Sequence, residues 1–286
     1  MDSAHFRFFC AAEWRMLRGM ETIKGEWIYG RRPVLEVLRA GRRHLYEAVL
    51  PATGRDAGAE FVEIRNLLLA ANVPIRSADR DELDELTLGG HHQGVALRTG
   101  GFPYIGFDQV LHDVEEQPQA LVLMLDHLED PQNLGSLLRS AEAAGVTAVV
   151  LPEDRATAVT PAAVRASAGA SEHMRVARVV NLVRAMKEVQ AAGAWLAGLD
   201  TGADTRPYTE VDFKGRMGIV VGAEGHGLGR LVRESCDFVA AIPMNGKVAS
   251  LNAGVAGAIV MFEAVRQRGN VAKKKSGAAK DSPKAE

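Results

Sequence analysis

The sequence predicts an α/β protein in two units, a small α/β domain followed by a larger domain on a parallel sheet with helices on both faces. Three observations carry this. From Gln119 onward, near-continuous apolar runs (QALVLMLD, TAVVLPE, WLAGLD, GRMGIVVG and DFVAAIPM) alternate with helical patterns. Strands buried on both faces read as unbroken apolar runs, and their alternation with helices implies parallel pairing. Residues 27–99 carry shorter elements that suit one modest core. The chain's 286 residues leave room for both units.

Residues 1–24 read as a flexible extension. Their FFCAA run is interrupted by Glu13, Trp14 and Arg15, which spoils a signal-peptide core, and a start at Met20 would account for the segment. The first domain spans 25–99. YGRRPVLEVLRAGRR sets Val34, Leu35, Val37 and Leu38 on one side of a helix, with Pro33 near its first turn. HLYEAVLPA is a strand and FVEIRNLLLAANV a helix ending near Asn72. Pro74 to Ala78 is a short strand, DELDELTLG a short acidic helix, and HHQGVALRT the closing strand. Residues 100–118 form a linker around a short helix.

The second domain spans 119–268. After QALVLMLD come a helix over LGSLLRSAEAAG and the strand TAVVLPE, then the helix VRAMKEVQAAG and the strand WLAGLD. Two further apolar strands follow. LNAGVAGAIVMFEAVRQR is a long final helix with a close-packing face of small residues. Residues 269–286, rich in Lys, Ala, Gly and Ser, read as a disordered basic tail.

Composition narrows the function classes. Hydrophobic residues are 47% of the chain and charged residues 24%, an ordinary balance for a chain with a sizeable core. Aromatics, at 6%, supply no obvious stacking platform for single strands. The formal net charge is -2, but the charge is uneven. Residues 1–55 hold ten Lys/Arg against six Asp/Glu, and residues 266–286 hold seven against two. These basic ends suit phosphates, and solvated faces give the same counts. Cys10 and Cys236 read as free thiols in a reducing compartment, no apolar run approaches membrane-spanning length, and a cytoplasmic location follows.

A dinucleotide-binding domain needs glycines directly after its first strand. Here that strand runs into Asp126, His127, Leu128, Glu129, Asp130, Pro131, Gln132 and Asn133, so nicotinamide chemistry is not indicated. No phosphate-loop lysine motif or metal-ligand spacing is present, and no metal is expected. His91 and His92 read as structural or surface residues.

Three stretches follow apolar strands, at the edge where open parallel sheets bind ligands. In DHLEDPQNLGSLLRSAEAAG, Asn133 precedes the helix as a candidate cap and Arg139 lies near its middle. In VVGAEGHGL, Gly222, Gly225 and Gly227 allow a tight turn around Glu224. In IPMNGKVASLNAGVAGAI, Ser250 and Asn252 stand at the mouth of the last helix. Each has a plain reading as a cap or turn. Together an arginine, two amides, a serine and a glutamate near glycine-bent backbone make a polar pocket.

These stretches resemble, in order, the three motifs of the SpoU (TrmH-type) RNA ribose methyltransferases of the SPOUT superfamily. The resemblance covers about residues 120–268 and includes the small-residue stretch VRASAGASEHMRVARVVNL that ends near Asn181. It implies a trefoil-knotted α/β catalytic domain, S-adenosylmethionine as methyl donor and a homodimer. The implied catalytic residues are Arg139, Asn133, Glu224, Ser250 and Asn252. The implied cofactor-binding residues are Gly222, Ala223, Gly225, Ile242, Met244, Leu251 and Asn252. The third motif departs from its common form, with Asn252-Ala253-Gly254 where relatives have Asn-Val-Ser.

The first domain, with YGRRPVLEVLRAG and HHQGVAL, resembles an L30e-like RNA-binding unit. This is the arrangement of the branch that methylates a guanosine in the peptidyl-transferase region of 23S rRNA. The implied partner is 23S rRNA or a large-subunit precursor particle, gripped by Arg31, Arg32, Arg42, Arg43 and the lysine tail. A tRNA ribose methyltransferase, another rRNA position, and a non-catalytic ribosome-assembly protein are the competing readings. An arginine's pKa exceeds about 12. Arg139 is therefore expected to position phosphate and ribose and to stabilise the developing oxyanion.

Overall fold

The computed structural model describes residues 25–51, 58–202, 204–223, 225 and 227–277. The extension over 1–24 and the end of the tail lie outside the described residues. The chain divides into two compact units, one reaching to Pro103 and including Ala168–His173, the other formed by the rest.

The first unit has a four-stranded sheet in the order β1-β4-β2-β3. Its strands are β1 (Glu26–Tyr29), β2 (Leu45–Pro51), β3 (Ile75–Ala78) and β4 (Ala96–Thr99), with α1 (Arg31–Ala40), α2 (Ala59–Ala70) and α3 (Arg80–Leu86) between them. Strand β4 is antiparallel to β1 and β2, while β2 and β3 run parallel. Sequence reading finds every one of these elements except β1. Helix α1 buries Pro33, Val34, Leu35 and Val37, and Gly41 ends it in the left-handed region that favours glycine.

Residues Ala170–His173 form a single 3-10 turn that belongs to this unit, although the sequence places them amid the second domain. Glu172 anchors the turn. Arg43 donates to both Glu172 carboxylate oxygens, at 2.8 and 2.9 Å, and to Glu26 at 3.0 Å. The Arg43 and Glu172 side chains are both 0% exposed. Burial by itself would lower the Arg43 pKa, but the hydrogen bonds and charges of Glu172 and Glu26 together raise it. Arg43 is therefore corrected from a phosphate contact to a structural ion pair. Arg42 is also turned inward in part, donating to the carbonyls of Glu172 and Pro103.

The second unit holds a seven-stranded parallel sheet in the order β7-β6-β5-β10-β8-β11-β9. Its core strands are β5 (Leu121–Leu125), β6 (Ala148–Pro152), β7 (Val176–Val179), β8 (Trp195–Leu199), β10 (Met217–Val221) and β11 (Phe238–Ala241), with the two-residue β9 (Arg206–Pro207) at the edge. The all-apolar β5, β6 and β10 are buried along their whole length.

Helix α4 (Phe107–Glu116) buries Val110 and Val114 in the core of this unit. Residues 104–118 are thus part of the catalytic unit, a correction to the expected linker. Next in the chain come α5 (Pro131–Ala143), α6 (Pro161–Ala166), α7 (Leu182–Ala191), α8 (Arg230–Glu234) and α9 (Ala253–Gly277). Helix α9 continues through Gly277, so residues 269–277 are not the unstructured tail expected. Alanine and lysine are good helix formers and let the backbone run on.

Helix α9 packs on α5, and α5 on α6. The small residues have a definite use there. A Cβ on Gly257 would overlap the Leu137 side chain, and one on Gly254 would stand 3.0 Å from Ser136 Oγ. The small-residue face of α9 therefore serves packing within the chain.

Replacing Arg43 by Met leaves Glu172 as an uncompensated buried charge. Such losses cost about 3–5 kcal/mol, which urea unfolding of Arg43→Met against the parent measures directly.

Candidate functional site

Strand β10 lies between β5 and β8, so the chain leads away from its two neighbours in opposite senses. Crevices open at the C-terminal edge of a parallel sheet where strand order switches in this way. All three motif stretches lie at this edge, after β5, after β10 and after β11.

The first stretch enters α5. Asp130 is the N-cap, its carboxylate accepting from Gln132 N at 2.9 Å, with Pro131 following at the first helical position. Asn133 is therefore not the cap. It lies inside the helix and is buried. Its Oδ1 accepts from Asn252 Nδ2 at 2.7 Å. The amide orientations follow from the network, and one amide donates while the other accepts in either assignment. Asn252 also caps α9, its Oδ1 accepting from Val255 N at 3.2 Å. One side chain thus starts the last helix and ties the third motif to the first.

The second stretch is a loop that only glycine can build. A Cβ at Gly222 would fall on the Gly227 carbonyl, and one at Gly227 would stand 2.7 Å from Asp200 Oδ1. Gly225 and Gly227 have φ of 81° and 65°, values that side chains resist. Gly227 N donates to Ala223 O at 3.0 Å and closes the turn. Glu224 lies outside the described residues.

Two clefts flank this loop. The first, of about 230 Å³, is lined by Gly222, Ala223, Gly225, Ile242, Met244 and Leu251, together with Ser250 and the end of β8 at Leu199, Asp200 and Thr201. The apolar side chains and close-lying backbone make it a site for a flat, partly polar small molecule. The Asp200 carboxylate is fixed by Arg233 Nη1 at 3.0 Å and by Thr201 N at 2.8 Å. The second cleft, of about 520 Å³, is lined by residues from Asp126 to Asp130, by Asn133, and by Ala223 and Gly227 to Gly229. Ala223 and Gly227 line both, so the clefts adjoin at this turn.

The structure brings together Asn133 and Asn252, and gathers Gly222, Ala223, Gly225, Ile242, Met244, Ser250 and Leu251 around one cleft. Arg139 is exposed on α5 and lines neither cleft. Asn252 lines neither cleft and reaches the site through Asn133. Asn181, from the small-residue stretch, caps α7 by accepting from Arg184 N at 2.9 Å. Sequence reading missed Leu199, Asp200 and Thr201, although WLAGLD ends on the same sheet edge. It also passed over Asp126 and His127 as site residues. In the first unit Arg32 is well exposed beside Glu60, and Arg31 donates through its backbone N and Nε to Gln93.

Among the described residues no group of three or more His, Cys, Asp or Glu could hold a metal ion, and no helix is long and apolar enough to cross a membrane. The Cys236 thiol is pushed up to about 12, by burial first and then by Asp237. A thiol so held is a poor nucleophile.

A parallel sheet bearing a small-molecule cleft that adjoins a second cleft at a glycine turn suits an enzyme that works between two substrates. The model of the SpoU rRNA Methylase family matches residues 120–262, and that of the RNA 2′-O ribose methyltransferase substrate-binding domain matches residues 27–105. A protein of Mycobacterium ulcerans (strain Agy99), described as an uncharacterized tRNA/rRNA methyltransferase, is 41% identical over 258 residues. That alignment spans 90% of this chain and 82% of the relative. The 23S rRNA (guanosine-2′-O-)-methyltransferase RlmB of Xylella fastidiosa (strain 9a5c) is 38% identical over 86% of this chain and 98% of its own. Among solved structures, the SpoU methyltransferase AviRb of Streptomyces viridochromogenes in complex with AdoMet superposes with a TM-score of 0.72. It is 26% identical, over 91% of this chain and 98% of that one. The chain belongs to the SpoU rRNA methylase family, and it is an RNA 2′-O-ribose methyltransferase.

Replacing Asn252 by Ala removes the α9 cap and the bond to Asn133. A cap and a buried hydrogen bond together are worth about 2 kcal/mol, which denaturant unfolding of Asn252→Ala measures. Cys236 is expected to stay unalkylated by iodoacetamide in folded protein at pH 8 and to react once urea unfolds the chain, read by peptide mass spectrometry.

Proposed function

We propose that this enzyme transfers a methyl group from S-adenosylmethionine to the ribose 2′-hydroxyl of a guanosine in the peptidyl-transferase region of 23S rRNA. The observation that carries the reading is the pair of clefts sharing the Ala223–Gly227 turn. A donor in the first and an acceptor in the second would meet beside that turn, where the 2′-oxygen can touch the methyl carbon. The RlmB relative, aligned over 98% of its length, supports the rRNA guanosine.

The residues present fit the cofactor. Gly222 keeps the first cleft open to backbone, because a side chain there would collide with the Gly227 carbonyl. Ile242, Met244 and Leu251 offer apolar cover, and Asp200 offers a fixed carboxylate to hydroxyl or ammonium groups. When bound, S-adenosylmethionine supplies an already activated methyl group. The protein's task is then to hold the hydroxyl in line and help remove its proton.

Arg139 lies outside both clefts, and in this reading it meets the phosphate and ribose of the target from the exposed face of α5, where its fixed fork suits bidentate contact. Asn133 and Asn252 hold the first and third motifs in one arrangement. Glu224, Ser250 and the backbone of Ala223 and Gly225 complete the pocket in this reading. Arg31 and Arg32 in the first unit contact RNA phosphates, with shape and unpaired bases giving recognition. A trefoil-knotted path of the C-terminal loops and a homodimer belong to the same reading. Val255 and Phe262, both about half exposed on one side of α9, support the dimer.

The test is transfer of labelled methyl groups to undermethylated rRNA, mapped at single-nucleotide resolution. Label on a guanosine ribose in the peptidyl-transferase loop, reduced about 100-fold by Arg139→Ala, is expected. Label on tRNA alone, or none on any RNA, would overturn the assignment. Gly222→Ala is expected to weaken S-adenosylhomocysteine binding more than about tenfold by calorimetry, since the added methyl requires the loop to move.

A further inference from the structure

The second cleft contains a charge dyad that the three motifs leave unassigned. Asp126 ends β5 and is 1% exposed. Its Oδ2 accepts from Gly229 N at 2.7 Å, and its Oδ1 is hydrogen-bonded to His127 Nδ1. The His127 side chain is 48% exposed and lines the cleft with Asn133 and the Ala223–Gly227 turn. Its backbone is held at φ 53°, the left-handed region that non-glycine residues seldom adopt.

The chemistry of this pair is directional. An ionised carboxylate only accepts, so with Asp126 as carboxylate the proton between the two side chains is assigned to His127 Nδ1. The neutral imidazole then carries its lone pair on Nε2, free to accept a proton. The carboxylate also stabilises the imidazolium that results, and the Gly229 amide keeps it from rotating away. Arginine, by contrast, has no lone pair to offer at neutral pH.

Resting on the proposed methyl transfer, we infer that His127 is the proton acceptor for the 2′-hydroxyl, with Asp126 as its positioning residue. The 2′-oxygen forms a bond to the methyl carbon as the carbon–sulfur bond breaks, releasing S-adenosylhomocysteine. The hydroxyl proton passes to His127 Nε2, and the imidazolium later returns it to solvent. Asp126, Glu129 and Asp130 are the other titratable groups lining the cleft among the described residues, and no cation lines it there.

The experiment compares the full-length protein with His127→Gln in single-turnover methyl transfer, S-adenosylhomocysteine calorimetry and thermal unfolding. The rate is expected to fall about 100-fold or more, the scale of general-base catalysis, while ligand affinity and melting temperature are retained. The parent rate should rise with pH as the imidazolium loses its proton, and His127→Gln should lose that limb. Long-range nitrogen NMR of the parent should find the neutral proton on Nδ1, a preference that Asp126→Ala should lose. A His127→Gln rate within about threefold of the parent, an unchanged pH limb, or a proton on Nε2 would overturn the inference while leaving the methyl-transfer reading intact. No transfer by the parent to any RNA would overturn both.

Discussion

Strand β10 pairs with β5 on one side and β8 on the other, in register along all five residues of each. This pairing brings the loop after β10 between the loop after β5 and the end of β8. Each pair of strands supplies a regular ladder of parallel hydrogen bonds, and the strands are fully buried. A register slip would turn buried side chains to the opposite face and carry Gly222 away from the switch point. The site therefore inherits its geometry from the most rigid part of the molecule.

What the sheet positions, glycine makes usable. The loop from Gly222 to Gly229 folds back so closely that Gly222 and Gly227 have no room for a side chain. Polar groups then fasten this loop from outside. Asp126 holds Gly229 N, Asp200 sits against Gly227, and Arg233 holds Asp200. Asn252, reaching Asn133, does the same for the start of α9. Such supports matter because a small misplacement of reacting groups costs far more in rate than in stability.

The architecture was legible in the sequence wherever a pattern ran long enough. The parallel sheet followed from unbroken apolar strands, and most helices from their period. Short or context-dependent features were not. Strand β1 was not found, and the 3-10 turn at Ala170–His173 joins the first unit through contacts distant in sequence, Glu172 with Arg42 and Arg43 and His173 with Glu36. That same pairing took Arg43 out of the basic surface, since a count of charges cannot tell a buried arginine from an exposed one. At the site, the motif resemblance identified Gly222, Ile242, Met244, Ser250 and Leu251, which line one cleft together. It did not find Asp200 or the Asp126–His127 pair. Those residues follow apolar strands and have no glycine signature, so their meaning appears only when the strand ends are set side by side.

The proposed chemistry places donor and acceptor in the two clefts that adjoin at the Ala223–Gly227 turn. A crystal structure of the full chain with S-adenosylhomocysteine and a short RNA carrying the target loop tests it directly. The expected complex has the thioether against Ile242, Leu251 and Gly222, with the target 2′-oxygen at the mouth of the cleft of His127 and Asn133 and in line with the sulfur beside the turn. A cofactor seated elsewhere, or a target ribose approaching from a side that His127 and Asn133 do not reach, would contradict it.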